Sequence, residues 1–401
     1  MMEPTVRFPE FKGSWNNYKI EDMFDRVGTP VDLDDTQTYR EIGIRSHGKG
    51  IFHKEETTAI EIGNKRVFWV EPDCFVVNIV FAWERAVAKT TEKENGMIAS
   101  HRFPMYKPKK NIVDLDYITE YFITKRGQNV LILASPGGAG RNKTLGQKEF
   151  AKSVVKLPSL PEQQKIAEFL STIDTVIEKQ KETVSAWEER KKGVMQKLFS
   201  QEVRFKADDG SDFPEWEEKK LGEIADIYDG VHQTPEYVSN GVKFVSVENI
   251  ENIYSTNKYI TQEAFERDYK NNIPKKWDIL MTRIGDVGRV ALIDDDEQLA
   301  YYVSLALIRV SSNFIPQFFV QALRSDFFQA ELWKNMLHTA YPKKINKQDI
   351  GKCKVKFPVS IVEQQKIADC LSSLDEVIEK QKATLAAWEE LKKGLLQQMF
   401  V

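Results

Sequence analysis

The sequence predicts an α+β chain in which two mixed α/β heads are joined and separated by two long antiparallel coiled-coil helices, as a pseudo-two-fold internal repeat. Three observations carry this expectation. A 38-residue segment is written twice, it has coiled-coil spacing both times, and dissimilar strand-rich stretches precede its two copies.

The duplication is the firmest of the three. Residues 162–199 read EQQKIAEFLSTIDTVIEKQKETVSAWEERKKGVMQKLF, and residues 363–400 read EQQKIADCLSSLDEVIEKQKATLAAWEELKKGLLQQMF, with 25 identities in 38 ungapped positions at an offset of 201. A repeat at fixed offset marks duplicated structural units. Weaker matches lie upstream: Lys143, Lys152, Val155, Lys156 and Pro158 recur as Lys343, Lys352, Val355, Lys356 and Pro358. The lead-in Val6, Arg7 and Phe8 returns as Val203, Arg204 and Phe205, and Phe8-Pro9-Glu10-Phe11 as Phe213-Pro214-Glu215-Trp216. The expected division is a first head over 1–156, a first helix over 157–201, a second head over 202–356 and a second helix over 357–401.

Both repeats are rich in Glu, Lys, Gln, Ala and Leu and lack an internal proline, as helices require. Ile166, Leu170, Ile173, Ile177, Val184 and Trp187 follow alternating 4-3 spacing, as do Ile367, Leu371, Leu374, Ile378, Leu385 and Trp388. That spacing is the seam of a coiled coil. Gln180, Lys191, Gln381 and Lys392 fall on the same seams, where a polar group fixes register at some cost in stability. The seam of each copy must be covered, and the other copy is the obvious cover. Two different heads held by one stiff frame suit a linear target with two half-sites, and DNA is the natural one.

Charge places the DNA face on the heads. Residues 37–156 hold 20 Lys and Arg against 13 acids, and residues 241–356 hold 17 against 14, although the whole chain carries −3. Phosphate recognition needs such local excess rather than a basic average. In the first head the candidates are Arg45, His47 and Lys49, Lys65 and Arg66, His101 and Arg102, and Arg141, Asn142 and Lys143. In the second they are His232 and Gln233, Arg283 and Arg289, and Tyr341, Lys343 and Lys344. Arg and Lys suit guanine edges, Gln and Asn suit adenine, and nearby glycines let a backbone approach the duplex. The β-branched and aromatic runs 66–70, 75–81, 130–133, 278–281 and 301–310 are expected to be strands.

Enzyme chemistry finds little support. Gly137-Gly-Ala-Gly-Arg-Asn142-Lys143-Thr144 nearly matches a P-loop, but Asn142 stands where Gly is needed, and a phosphate- or base-contacting loop is the better use of those donors. No Pro-Pro pair exists for an adenine methyltransferase motif, and Asp294-Asp295-Asp296-Glu297 lacks the lysine partner of a nuclease. The three cysteines form no CxxC pair, which argues against a zinc site or disulfide framework and suits a reducing cytoplasm. No run of about 18 apolar residues occurs, so no membrane partner is expected.

The repeated Pro…Glu-Gln-Gln-Lys-Ile-Ala segments, the Phe-Pro-Glu-Phe/Trp lead-ins, the Thr282–Arg289 loop and the Lys-rich strip before each Pro resemble type I restriction–modification specificity subunits. That resemblance implies that each head is a target-recognition domain for one half of an asymmetric, interrupted double-stranded DNA site. It implies that the paired helices set the spacer and dock two modification (methyltransferase) subunits, joined by restriction (motor–nuclease) subunits. It further implies a subunit without catalysis or cofactor of its own, S-adenosylmethionine, ATP and Mg being expected on the partners. The alternative is a coiled-coil protein-interaction scaffold without DNA readout.

Overall fold

A computed structural model describes residues 4–137 and 143–400. The chain divides into two units, Met1–Lys181 with Ala383–Val401, and Glu182–Lys382. The division cuts through both long helices, α1 (Leu160–Phe199) and α2 (Ile361–Met399), rather than setting them apart as domains. Packing explains the cut, because each unit's core contains parts of both helices.

In the first unit the lead-in reaches strand Asn16–Lys19, which pairs antiparallel with Val154–Leu157 immediately before α1. A four-stranded sheet follows in the spatial order Phe24–Val27, Met105–Pro108, Phe75–Val77, Val87–Lys89. A five-stranded sheet has the order Thr29–Pro30, Val67–Trp69, Ile98–Ser100, Thr38–Ile44, Ile51–Thr58. Helices Leu115–Ile123 and Lys125–Leu133 start at Asp114 and Thr124, whose side chains accept the backbone N–H of Tyr117 and Gly127. These caps satisfy donors that a helix start leaves unpaired. Phe75, Tyr117, Phe122 and Phe150 form the core together with Ile166, Ala167 and Leu170 of α1 and Met399 and Phe400 at the end of α2. Asp174 meets Lys392 and Lys181 meets Glu389, so numbers rise on one helix as they fall on the other. The pairing is antiparallel.

The second unit repeats this frame on a different head. Glu217–Lys220 pairs antiparallel with Lys354–Phe357 before α2. One sheet has the order Ala225–Asp229, Leu305–Val310, Ile279–Thr282, Val290–Leu292, and a second has Tyr259–Ile260, Val242–Val245, Leu299–Tyr301. Helices Pro316–Arg324 and Asp326–Asn335 pack with Leu198 of α1 and Ile367, Ala368 and Leu371 of α2. Glu188–Lys382 and Lys191–Asp375 again give an antiparallel pairing.

Several sequence expectations need correction. Residues 130–133, read as a strand, end the helix Lys125–Leu133. The Thr124 cap starts it, and within the run only Leu131 is fully buried while Leu133 is exposed, a helical rather than an alternating pattern. The run 301–310 is two strands, because Leu305 N–H bonds to Tyr302 carbonyl and turns the chain into another sheet. The run 75–81 is extended only to Val77, where Asn78 Oδ1 accepts the N–H of Val80. The head boundaries at 156 and 356 fall one residue inside the strands Val154–Leu157 and Lys354–Phe357. Among the described residues no helix is long and apolar enough to cross a membrane.

Candidate nucleic-acid interface

The five-stranded sheet of the first head gathers three of the predicted loops. Strands Thr38–Ile44 and Ile98–Ser100 are parallel, with Glu41 opposite Ile98, so the turns that follow them leave the same end of the sheet. Val67–Trp69 is antiparallel to Ile98–Ser100, with Val67 opposite Ser100, so its preceding turn emerges there as well. Arg45, His47 and Lys49, Lys65 and Arg66, and His101 and Arg102 thus share one rim, and all seven are exposed. Neighbouring strands lie about 4.8 Å apart, close enough for one stretch of phosphate backbone to meet all three turns.

Local chemistry holds this rim in shape. Arg45 N–H bonds to Gly50 carbonyl at 3.0 Å, and the His47 and Gly48 N–H groups bond to the carbonyls of Glu84 and Arg85 at 2.7 and 2.9 Å. His47 has φ 64° and Gly48 φ 67°, a left-handed pair that reverses the chain. A Cβ on Gly48 would lie 2.7 Å from the Ile123 side chain, so glycine also permits the close approach. Arg45 lies 4.8 Å from the Phe52 ring centroid, and His101 N–H bonds to Arg66 carbonyl at 3.0 Å. Beside His101, a cleft of about 190 Å³ is lined by Arg26, Gly28, Phe68 and Ser100. Lys143 is half-buried, while Arg141 and Asn142 lie outside the described residues.

The second head brings together another set. Gly285 N–H bonds to Lys343 carbonyl at 2.8 Å, Ile345 N–H bonds to Arg283 carbonyl at 3.0 Å, and Ile284 bridges to Lys344. The loop after strand Ile279–Thr282 and the segment 341–345 therefore form one platform. Tyr341, Lys343 and Lys344 are exposed on it. Arg283 is not: its side chain is 12% exposed, it is ion-paired with Asp229, and burial lowers its pKa. Arg289 is ion-paired with Glu251 and lies 3.8 Å from Asp286. Both arginines are thus already neutralised by protein carboxylates, which the sequence pattern did not show. His232 and Gln233 are exposed in the stretch after Ala225–Asp229.

Trp333 and His338 belong to the same platform and were missed. Trp333 is 53% exposed, with His338 4.6 Å and the Lys343 ammonium 4.4 Å from its ring centroid. Helical periodicity could have found it: Phe328, Glu331 and Leu332 are the buried positions of Asp326–Asn335, and Trp333 points away from them.

On the helices, Ile166, Leu170, Ile173, Ile177, Val184, Ile367, Leu371 and Ile378 are buried, and Trp187, Leu374, Leu385 and Trp388 are half-buried. The polar seam positions have partners. Lys392 Nζ bonds to Asp174 at 2.8 Å in the first unit, and Lys191 Nζ to Asp375 at 2.5 Å in the second. Burial lowers the pKa of Lys191 against the opposing pull of Asp375. Each unit has a cleft between its head and its helix pair, about 610 Å³ in the first and about 780 Å³ in the second. Gln128 closes onto Trp83 carbonyl and Gln329 onto Gly288 carbonyl, each at 3.0 Å.

Burial pushes Cys74 up to about 11 and Cys353 up to about 12, which holds both as thiols at neutral pH. Among the described residues no group of three His, Cys, Asp or Glu side chains gathers at metal-binding distance.

The profile of the type I restriction modification DNA specificity domain matches residues 13–185 and 214–387. The chain belongs to that family. The two matches reproduce the duplication and include both helix starts. The chain is 27% identical over 353 residues to the type I restriction enzyme MjaVIII specificity subunit of Methanocaldococcus jannaschii, covering 84% of this chain and 80% of that protein. It is 25% identical over 307 residues to the putative MjaX specificity subunit of the same organism, covering 73% and 68%. Among solved structures it is similar to the type I restriction–modification S subunit from M. genitalium, with a TM-score of 0.61, 17% identity and coverage of 100% and 99%. A structure described as the basis of complex assembly and conformational transition of the type I R-M system gives 0.58, at 16% identity and 98% coverage of each chain. At these identities the structures show a shared fold.

Proposed function

We propose that this chain is the DNA-reading subunit of a type I restriction–modification complex and does no chemistry itself. Each head reads one half of a bipartite, asymmetric double-stranded site. The observation that carries this reading is one repeated frame bearing two different heads, each with an exposed cationic surface on loops anchored by backbone hydrogen bonds. Anchored loops suit sequence readout, since base edges are discriminated by side chains held at fixed positions. The helix pairs and the clefts beside them are the docking platform for two adenine methyltransferase subunits, and the pair sets the spacer between half-sites. S-adenosylmethionine, Mg and ATP are used on the methyltransferase and motor–nuclease partners.

The test is to purify the chain with its methyltransferase partner and select its target from a random duplex pool. Recovery of two defined blocks separated by a fixed gap supports the reading, as does binding that weakens steeply with salt. Absent or salt-insensitive DNA binding would instead indicate a protein-interaction scaffold.

A further inference from the structure

The second head carries an aromatic group that reading a closed duplex does not require. Tyr341 is fully exposed, and among the described residues its side chain makes no hydrogen bond or ring contact. Its loop is nevertheless held firmly. Leu337 N–H bonds to Lys344 carbonyl at 2.9 Å, which closes the loop, and Lys343 carbonyl and Lys344 tie it to the 283–288 loop. Trp333 forms the seat: His338 Nε2 lies 2.8 Å from Trp333 carbonyl, and the His338 ring and Lys343 ammonium flank the indole.

A tethered ring left in water two residues before the pair Lys343 and Lys344 fits a partner with negative charge and flat aromatic faces. Nucleic acid supplies both. Inside a stacked duplex, however, base faces are covered and only edges reach the grooves. A side-chain ring reaches a base face only where a step is opened, as apolar wedges do in bent duplexes. We propose that Tyr341 is such a wedge, opening one base step in the half-site read by the second unit. This rests on the DNA-reading function above. The matching stretch of the first head, residues 137–144, contains no aromatic residue, so the distortion belongs to one half-site only.

The experiment uses the full chain with its methyltransferase partner and the selected duplex, with 2-aminopurine replacing one base at a time across both half-sites, except at the adenines that the methyltransferase itself extrudes. Fluorescence is expected to rise several-fold at one or two adjacent positions in a single half-site, to stay low in Tyr341→Ala and to rise again in Tyr341→Phe. Tyr341→Ala is expected to weaken binding by about tenfold to a hundredfold, the range of one lost base–aromatic stack. Placing an abasic site at the opened step should recover much of that loss. If Tyr341→Ala keeps the wild-type fluorescence pattern and affinity, the wedge is wrong while DNA reading stands. If Tyr341→Ala instead fails to assemble with the methyltransferase, the residue is a protein contact and the wedge is overturned. If no duplex is selected and none is bound, the DNA-reading function itself fails.

Discussion

The buried carboxylates at the two helix starts allow a paired test of the repeated frame. Glu162 is 1% exposed, and Arg7 holds both its oxygens at 2.7 and 2.8 Å. Glu363 is equally buried and held by Arg204 at 3.1 and 3.0 Å, but Trp216 Nε1 adds a further bond at 3.1 Å. Trp15 precedes strand Asn16–Lys19 as Trp216 precedes Glu217–Lys220, so Trp15, and not the Phe11 of the lead-in match, is its counterpart in the first unit, yet its Nε1 is buried without a partner. Removing Arg7 therefore strands a charge, at a cost of about 3–5 kcal/mol. After Arg204→Ala the indole still donates to Glu363, and a bond to a charged group contributes about 1.5–3 kcal/mol. Arg7→Ala should consequently cost about 2 kcal/mol more than Arg204→Ala. For units of this size 1 kcal/mol moves the melting midpoint by about 2–4 °C, so the two variants should separate by about 4–8 °C. Scanning calorimetry of the full chain, with hydrogen exchange to assign each transition, reads the difference. Trp216→Phe combined with Arg204→Ala should bring the second unit's loss up to that of Arg7→Ala. Equal losses for the two single variants would refute the reasoning.

Leu371→Ala, at a fully buried seam position, should destabilise the second unit by about 2–5 kcal/mol in denaturant unfolding. Gly288→Ala should cost about 1–3 kcal/mol and free Gln329 from the loop, because φ is 98° and a Cβ would lie 2.6 Å from Gln329 and 2.8 Å from Leu332; hydrogen exchange at 286–290 checks it. Burial raises the pKa of Glu120 against the opposing pull of Lys392, so the folded first unit favours the protonated acid. Stability from that proton is present below the ordinary carboxylate range and lost as pH rises through the raised value. Glu120→Gln places in the first unit the amide that Gln321 supplies in the second, where it donates to Asp375 at 3.1 Å. It should gain stability over the wild type at neutral pH and lose that advantage below pH about 4.

The frame was legible because it is written in identities and period. Glu162 with Glu363, Gln163 with Gln364 and the 4-3 seam recur at one offset, and each repeated pair has the same role: both glutamines, for example, donate to the carbonyl of Pro158 or Pro358. The helix pairs 115–133 and 316–335 share that offset too, yet were read as unrelated inserts. Their cores conserve only apolar character, with Tyr117 matched by Phe318, Ile118 by Phe319 and Leu131 by Leu332. The interface was partly legible. Cations on glycine-bearing turns could be named, but their gathering on one rim depends on the parallel pairing of Thr38–Ile44 with Ile98–Ser100, which no local pattern encodes. Neutralisation of Arg283 by Asp229, 54 positions away, was invisible for the same reason. Leu133 misled because an apolar run of four has no readable period.

Hydroxyl-radical footprinting of the chain and the proposed methyltransferase partner on the selected duplex tests the division of labour most directly, when wild type is compared with Arg66→Ala/Arg102→Ala in the first head. Two protected blocks are expected, with the double substitution weakening one and leaving the other at wild-type strength. A single block, or equal weakening of both, would contradict the claim that each unit reads its own half of the site.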